Sequence, residues 1–320
     1  MRFQSVIFMP STVRLKRSAS GVLRSASNVL SSAFNVLHSA SNVQRSTFQA
    51  ARSALNKRKH SGTWLSLRII LVLGITSFQT GTTAIQATLK KPSAGNLILH
   101  FKATVDGQPF RLHKNYITPF GETFKLDMFK FYAGKITASY KGKPIKKTFS
   151  VSDYHLIDFD DSSGTSISLS VPESTYDKIL FQLGIDSADQ TSGAQTGALD
   201  PLKGMFWTWN SGYLGLKMEG ISPQSHEPAH AFSYHIGGYR LPNNTVWTIE
   251  LGMPNDQVIQ VNKDGIITLD ILIELDHFFD GSTPIRIRDI PACTMPGEPA
   301  SKIFENFAGA FAGIEFPEKP

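Results

Sequence analysis

In the stretch GMFWTWNSGY, Gly204 to Tyr213, two tryptophans stand two residues apart, behind Met205 and Phe206 and just ahead of a polar turn. Residues i and i+2 of an extended chain share a face, so Trp207 and Trp209 would present their indoles together. Such a pair can anchor a core, stack on a sugar ring or be oxidised. Imidazole is the second source of chemistry. Seven histidines follow residue 87: His100, His113, His155, His226, His230, His235 and His277. Neutral imidazole is a common ligand for copper and zinc. Met205, Met218, Met295 and Cys293 are soft donors suited to Cu(I), although core packing is the ordinary use of methionine.

Other patterns carry less. HEPAH, His226 to His230, spells the H-E-x-x-H zinc-hydrolase motif, which needs a helix so that two histidines four apart share a face. Pro228 inside it and GISPQS before it predict a loop instead. The chain has no G-x-S-x-G elbow, no G-x-x-x-x-G-K phosphate loop and no G-x-G-x-x-G after a strand. Cys293, the single cysteine, has no neighbour in sequence that would activate a thiol. Asp160 and Asp161, in DFDDSSGTS, suit either solvation or weak Ca²⁺ binding.

The elements that must position these groups read as strands. NLILHFKATVDGQPFRL alternates Leu97, Leu99 and Phe101, then turns at Asp106-Gly107 as a hairpin does. Leu214, Leu216 and Met218 share one face of TWNSGYLGLKMEG. In AFSYHIGGY, Phe232, Tyr234 and Ile236 fall on one face and His235 on the other. Ile267, Leu269, Ile271, Ile273 and Leu275 alternate beyond an Asp264-Gly265 turn. Short strands at this spacing predict an all-β antiparallel β-sandwich with few short helices. PESTYDKILFQLG reads equally as helix or strand. The tail EPASKIFENFAGAFAGIEF, with Ile303, Phe307 and Phe311 at helical spacing, predicts a short helix near the C-terminus.

The formal charge of +6 averages two unlike segments. Residues 1–87 contain eleven Lys and Arg and no acid, leaving 21 basic against 26 acidic residues in the remainder. The basic excess therefore marks targeting and not a nucleic-acid surface. KRKHSGTWLSLRIILVLGITSFQTGTTAIQA, within residues 55–87, has a basic cluster, an apolar run broken by Arg68, and small residues at Ala84 and Ala87. That is the layout of a signal peptide, too short in its apolar run to span a bilayer of about 30 Å. Residues 1–54 hold near-identical heptads (RSASGVL, RSASNVL, SSAFNVL) without the acidic partners a coiled coil needs. They read as translated tandem-repeat DNA upstream of a start near Leu55, or as a basic amphipathic leader lying on a membrane. Residues 88–320 form one exported domain, whose core must supply the stability that a single cysteine cannot.

The motif order YHLIDF (154–159), GALDPLKGMFWTWNSGYLGLKMEG (197–220), FSYHIGGY (232–239) and MPGEPASKIFENFAGAF resembles the MbnP family over about residues 96–315. GMFWTWNSGY, with Asp200-Pro201 before it and a strand after it, is the most specific part. The resemblance implies a β-rich, periplasmic or secreted, non-enzymatic copper-binding protein that serves copper acquisition or buffering. It also implies a partner, a MauG-like di-haem cytochrome c peroxidase, that oxidises a tryptophan to kynurenine. The oxidisable position falls on Trp207 or Trp209. The imidazoles at matching motif positions are His155 and His235, with His100 on the first strand as a third candidate ligand. Two other readings remain open on the residues: a carbohydrate-binding or adhesion sandwich using exposed Trp207, Trp209 and Trp247, and a metallohydrolase using His226, Glu227 and His230.

Overall fold

Alternation of apolar and polar side chains runs through nearly every segment of the domain, and the chain forms strands accordingly. A computed structural model describes residues 14–17, 93–141, 143–144, 154–161, 163–207 and 212–317. The expected signal peptide, most of the heptad repeats and Trp209 lie outside the described residues.

The strands of the first part are β1 (Arg14–Arg17), β2 (Ala94–Val105), β3 (Gln108–Pro109), β4 (Asn115–Ile117), β5 (Thr123–Tyr140), β6 (Lys143–Pro144), β7 (Tyr154–Asp158), β8 (Ser166–Pro172), β9 (Ser174–Tyr176) and β10 (Lys178–Leu183). A short helix α1 (Ser187–Thr191) leads to β11 (Phe206–Trp207), β12 (Gly212–Ile221), β13 (Ala231–Gly237), β14 (Trp247–Gly252), β15 (Ile259–Val261) and β16 (Ile266–Glu274). Helix α2 (Leu275–Asp280), strand β17 (Ala292–Cys293), helix α3 (Glu298–Gly309) and strand β18 (Phe311–Glu315) complete the described order.

The larger sheet runs β1-β14-β10-β5-β12-β13-β17, with β4, β6 and β7 also on β5 and β11 on β12. The smaller runs β18-β16-β2-β3, with β8 on β2. Phe101 of β2 joins them, edge-on to Phe131 of β5 at 5.6 Å and to Phe181 of β10 at 5.8 Å. Phe307 of α3 and Phe311 of β18 pack on the same Phe131 ring. This is the expected all-β sandwich with few helices, one of them near the C-terminus.

β5 is the spine of the larger sheet. Its buried apolar residues are Phe124 and Leu126, then Phe129, Phe131 and Ala133, then Ile136 and Ala138. A strand of unbroken period two would turn part of that set to solvent. The pairing with β12 shifts between Glu219 and Gly220, and that with β10 between Leu180 and Gln182, one irregularity at each change of phase. Each bulge rotates the strand so that the next apolar set faces the core again. One consequence is that Lys130 and Tyr132 point out of the sandwich.

One open reading is resolved and two local expectations are corrected. PESTYDKILFQLG, which suited helix or strand, forms β9 and β10, because its alternate residues Tyr176, Ile179, Phe181 and Leu183 are buried. Phe311 belongs to strand β18 and not to the helix, since the chain leaves α3 after Gly309 and pairs Phe311 with Ile273. The sheets are mixed: β2 and β16 pair in parallel from Asn96↔Ile266 to Thr104↔Glu274, as do β13 and β17. Alternation specifies which face is buried and carries no information on strand direction. The Asp106-Gly107 hairpin forms as expected, with Val105 opposite Gln108.

One buried carboxylate ties down the segment that edges the larger sheet. Glu122, 0% exposed, accepts from the backbone N–H of Ile287 (2.7 Å) and Arg288 (3.1 Å) and from Arg288 Nε (3.0 Å). The same segment continues to β17, with Tyr234 Oη donating to the Ile290 carbonyl at 2.7 Å. Truncating Glu122 to alanine leaves the buried amides without an acceptor. Urea denaturation of Glu122→Ala should show a loss of about 2–3 kcal/mol, and Glu122→Gln a smaller one.

Candidate functional site

The outer face of the larger sheet carries a row of charges. Asp158 of β7, Lys130 of β5, Lys217 of β12 and His235 of β13 lie opposite one another strand by strand. Lys130 bonds Asp158 at 2.7 Å, and Glu219, one pleat along β12 from Lys217, accepts from His235 Nε2 at 2.6 Å. Lys217 lies 3.4 Å from the same Glu219 oxygen. Burial pushes the Glu219 carboxyl up, but the hydrogen bond from His235 and the charge of Lys217 outweigh it and hold the group below its ordinary range.

An ionised Glu219 determines the chemistry of His235. A carboxylate accepts only, so Nε2 is the donor, and in the neutral ring Nδ1 keeps the lone pair. A carboxylate behind one ring nitrogen, fixing the tautomer and orientation of the other, is the usual support of a metal-ligating histidine. His100 of β2 has the equivalent arrangement, Nδ1 to Asp270 Oδ1 at 3.2 Å, with Lys102 on the other carboxylate oxygen at 2.7 Å.

Beside the charged row, a second apolar cluster covers the outer face: Tyr132, Tyr154, Ile185, Leu199, Met205, Trp207, Tyr213 and Leu214. The Asp200 carboxylate caps the turn Pro201–Lys203 through the Leu202 N–H at 2.9 Å, and Gly204 ends that turn at φ 74°. The chain then enters β11, where Trp207 pairs with Gly212. Trp207 is 6% exposed. Its ring lies on Gly237: a β-carbon there would stand 2.9 Å from Trp207 Cζ3, 3.1 Å from Cη2 and 2.7 Å from the Tyr213 carbonyl oxygen. Gly237 is two residues from His235 on the same strand and face, about 7 Å away along β13. The Trp207 indole, resting on Gly237, and the His235 imidazole therefore lie on the same face of the sheet.

The other residues singled out by sequence are placed elsewhere. His155 lies on β7 opposite Ala133, whose side chain is in the core, so it points to the opposite face of the sheet from Trp207 and His235. His100 is on the outer face of the smaller sheet, across the sandwich. The three imidazoles are not brought together, and among the described residues no group of three or more His, Cys, Asp and Glu is arranged to hold a metal ion.

The zinc-hydrolase geometry is absent from HEPAH. Pro228–His230 is a single 3₁₀ turn with Ala229 and His230 at φ 56° and 55°, and His230 Nδ1 sits 3.0 Å from the Ser225 carbonyl oxygen. Trp207 and Trp247, 6% and 7% exposed, offer no indole face for a sugar to stack on. Asp161 is occupied locally, accepting from the N–H and Oγ of Ser163 at 2.9 and 2.7 Å. Burial pushes the Cys293 thiol up, away from the thiolate. Sequence reasoning missed Glu219 and Gly237. The alternation of β12 and β13 puts Glu219 outward with His235, a signal that was available. The closeness of Gly237 to Trp207 follows from tertiary packing alone.

Two measurements test this geometry. Glu219, with its folded pKa depressed, stabilises the protein above the ordinary carboxylate range and loses that contribution as pH falls through its lowered value. The stability deficit of Glu219→Gln against wild type, measured by denaturant titration, should be present near neutrality and shrink as pH falls below the ordinary carboxylate range. Gly237→Ala should cost about 1–3 kcal/mol by overpacking and shift the tryptophan emission to longer wavelength; an unchanged spectrum would mean that the indole does not rest on residue 237.

Comparison with known proteins gives a family. No curated protein matches the chain. Among solved structures, MbnP from Methylosinus trichosporium is similar, with 16% identity, a TM-score of 0.47, and coverage of 65% of this chain and 87% of that one. The MbnP family model matches residues 94–295, more than half of the sequence and all of β2 through β17. The chain belongs to the MbnP family.

Proposed function

We propose that this protein is an exported, non-enzymatic copper-binding protein that takes up or buffers copper in the periplasm or outside the cell. The observation that carries the reading is the juxtaposition of the Trp207 indole, lying on Gly237, with His235, whose Nε2 is held by Glu219. His235 would offer Nδ1 to the ion, with Glu219 orienting the ring and supplying negative charge behind it. An intact indole has no free lone pair for a metal. Oxidation of Trp207 or Trp209 to kynurenine by a MauG-like di-haem peroxidase partner would add an aniline nitrogen and a ketone oxygen. Oxidised Trp207 would then place those donors on the same face as the oriented imidazole of His235. His155 and His100, on other surfaces, would contribute no donor here, although His100 with Asp270 has the orientation for an independent, weaker site.

The test is the metal content and intact mass of protein purified from copper-supplemented cells that express the native peroxidase. The expected result is stoichiometric copper that is lost in His235→Ala and retained in His155→Ala. A mass gain of about 4 Da over the unmodified exported chain, abolished by substituting one of the two tryptophans with phenylalanine, is expected alongside it. Copper-free protein, or copper content indifferent to His235, would overturn the reading.

A further inference from the structure

Trp207 is nearly buried, yet it forms part of the wall of a cleft of about 300 Å³. Tyr213, Tyr239, Arg240, Leu241 and Pro296 line the same cleft. This volume is at the small end of ligand pockets, enough for a molecule of one or two rings. Of the three aromatic residues in the lining, Trp207 and Tyr213 are buried and Tyr239 is half-buried. Among the described residues of the lining, Arg240 is the one formally charged side chain and no carboxylate accompanies it. Its guanidinium carbon lies 5.6 Å from the centre of the Tyr239 ring.

The nearby acids are engaged elsewhere. Glu298, just past the lining residue Gly297, bonds Lys302 at 2.8 Å. Asp200 caps the turn before β11, and Asp189 lies 4.0 Å from Lys135. The polar wall is also preoccupied: the Gln190 carboxamide accepts from the Tyr213 N–H at 2.6 Å and donates to the Tyr213 carbonyl at 2.9 Å. A ligand therefore meets the accessible apolar side chains of Tyr239, Leu241 and Pro296 and one positive fork.

We propose that this cleft binds a small planar aromatic anion, of the arene carboxylate class, with its carboxylate on the Arg240 guanidinium and its ring against Tyr239, Leu241 and Pro296. A guanidinium presents paired N–H donors that match a carboxylate edge, and offset or edge-on rings reward an aromatic body over an aliphatic one. The inference is independent of copper binding, because it uses neither His235 nor any modification of Trp207.

Calorimetric titration of the purified protein with 2-naphthoate, its neutral isostere 2-naphthamide and inorganic phosphate tests it. Naphthoate should bind. The amide should bind at least about tenfold more weakly, as expected for loss of one charge-assisted contact, and phosphate more weakly still. Arg240 is an exposed residue, so Arg240→Ala should leave the unfolding midpoint unchanged while weakening naphthoate at least about tenfold; Arg240→Lys should fall between. The proposal is overturned by equal affinity for the acid and the amide, by phosphate binding as tightly as naphthoate, by an Arg240→Ala affinity equal to wild type, or by no naphthoate binding below about 10 mM.

Discussion

Eighteen residues of β5 pass between two neighbours and past three short partners, and no strand of that length holds one apolar row against a twisted core without slipping phase. The slips at the two bulges are the constraint on which the rest depends. The first brings Phe129 and Phe131 inward after Leu126, which builds the aromatic junction with Phe101, Phe307 and Phe311. The same rotation turns Lys130 and Tyr132 outward. Tyr132 then seeds the second apolar cluster, its hydroxyl donating to the Ala198 carbonyl at 2.9 Å, and burial raises its pKa far above the ordinary phenol range. With that cluster in place, the Met205–Trp207 segment has a surface to lie on.

Much of this was legible in the residues. Period-two alternation announced a sandwich, the Asp106-Gly107 hairpin and the outward position of His235, because burial on one face imposes that pattern directly. Asp200-Pro201 likewise marked where the chain would turn before the tryptophan segment. What the residues concealed was long-range. The parallel pairing of β2 with β16 joins segments about 170 positions apart, and no local pattern encodes it. The end of α3 was misjudged because Phe311 fits the helical spacing and the strand that replaces it equally well.

The candidate site shows the same division. His235 and Trp207 were visible as residue types, and the family resemblance singled both out along with His155, His100 and Trp209. Which of them share a surface depends on Gly237, whose missing side chain admits the indole, and on Glu219, which holds the imidazole. His155 reads in sequence like His235, one histidine after a buried tyrosine in a strand. Its strand joins β5 where Ala133 faces the core, and that register sends it to the other side of the sheet.

The central claim is that Trp207 and His235 form one copper-responsive surface. Its most direct measurement is quenching of Trp207 fluorescence by Cu²⁺ in protein whose Trp64, Trp209 and Trp247 are replaced by phenylalanine. A metal on His235 would lie within roughly 10 Å of the indole, given two residues of strand between their backbone positions. The account predicts saturable quenching at one equivalent of copper that His235→Gln removes and His155→Gln leaves intact. Quenching unchanged by His235→Gln, or no quenching at all, would contradict it.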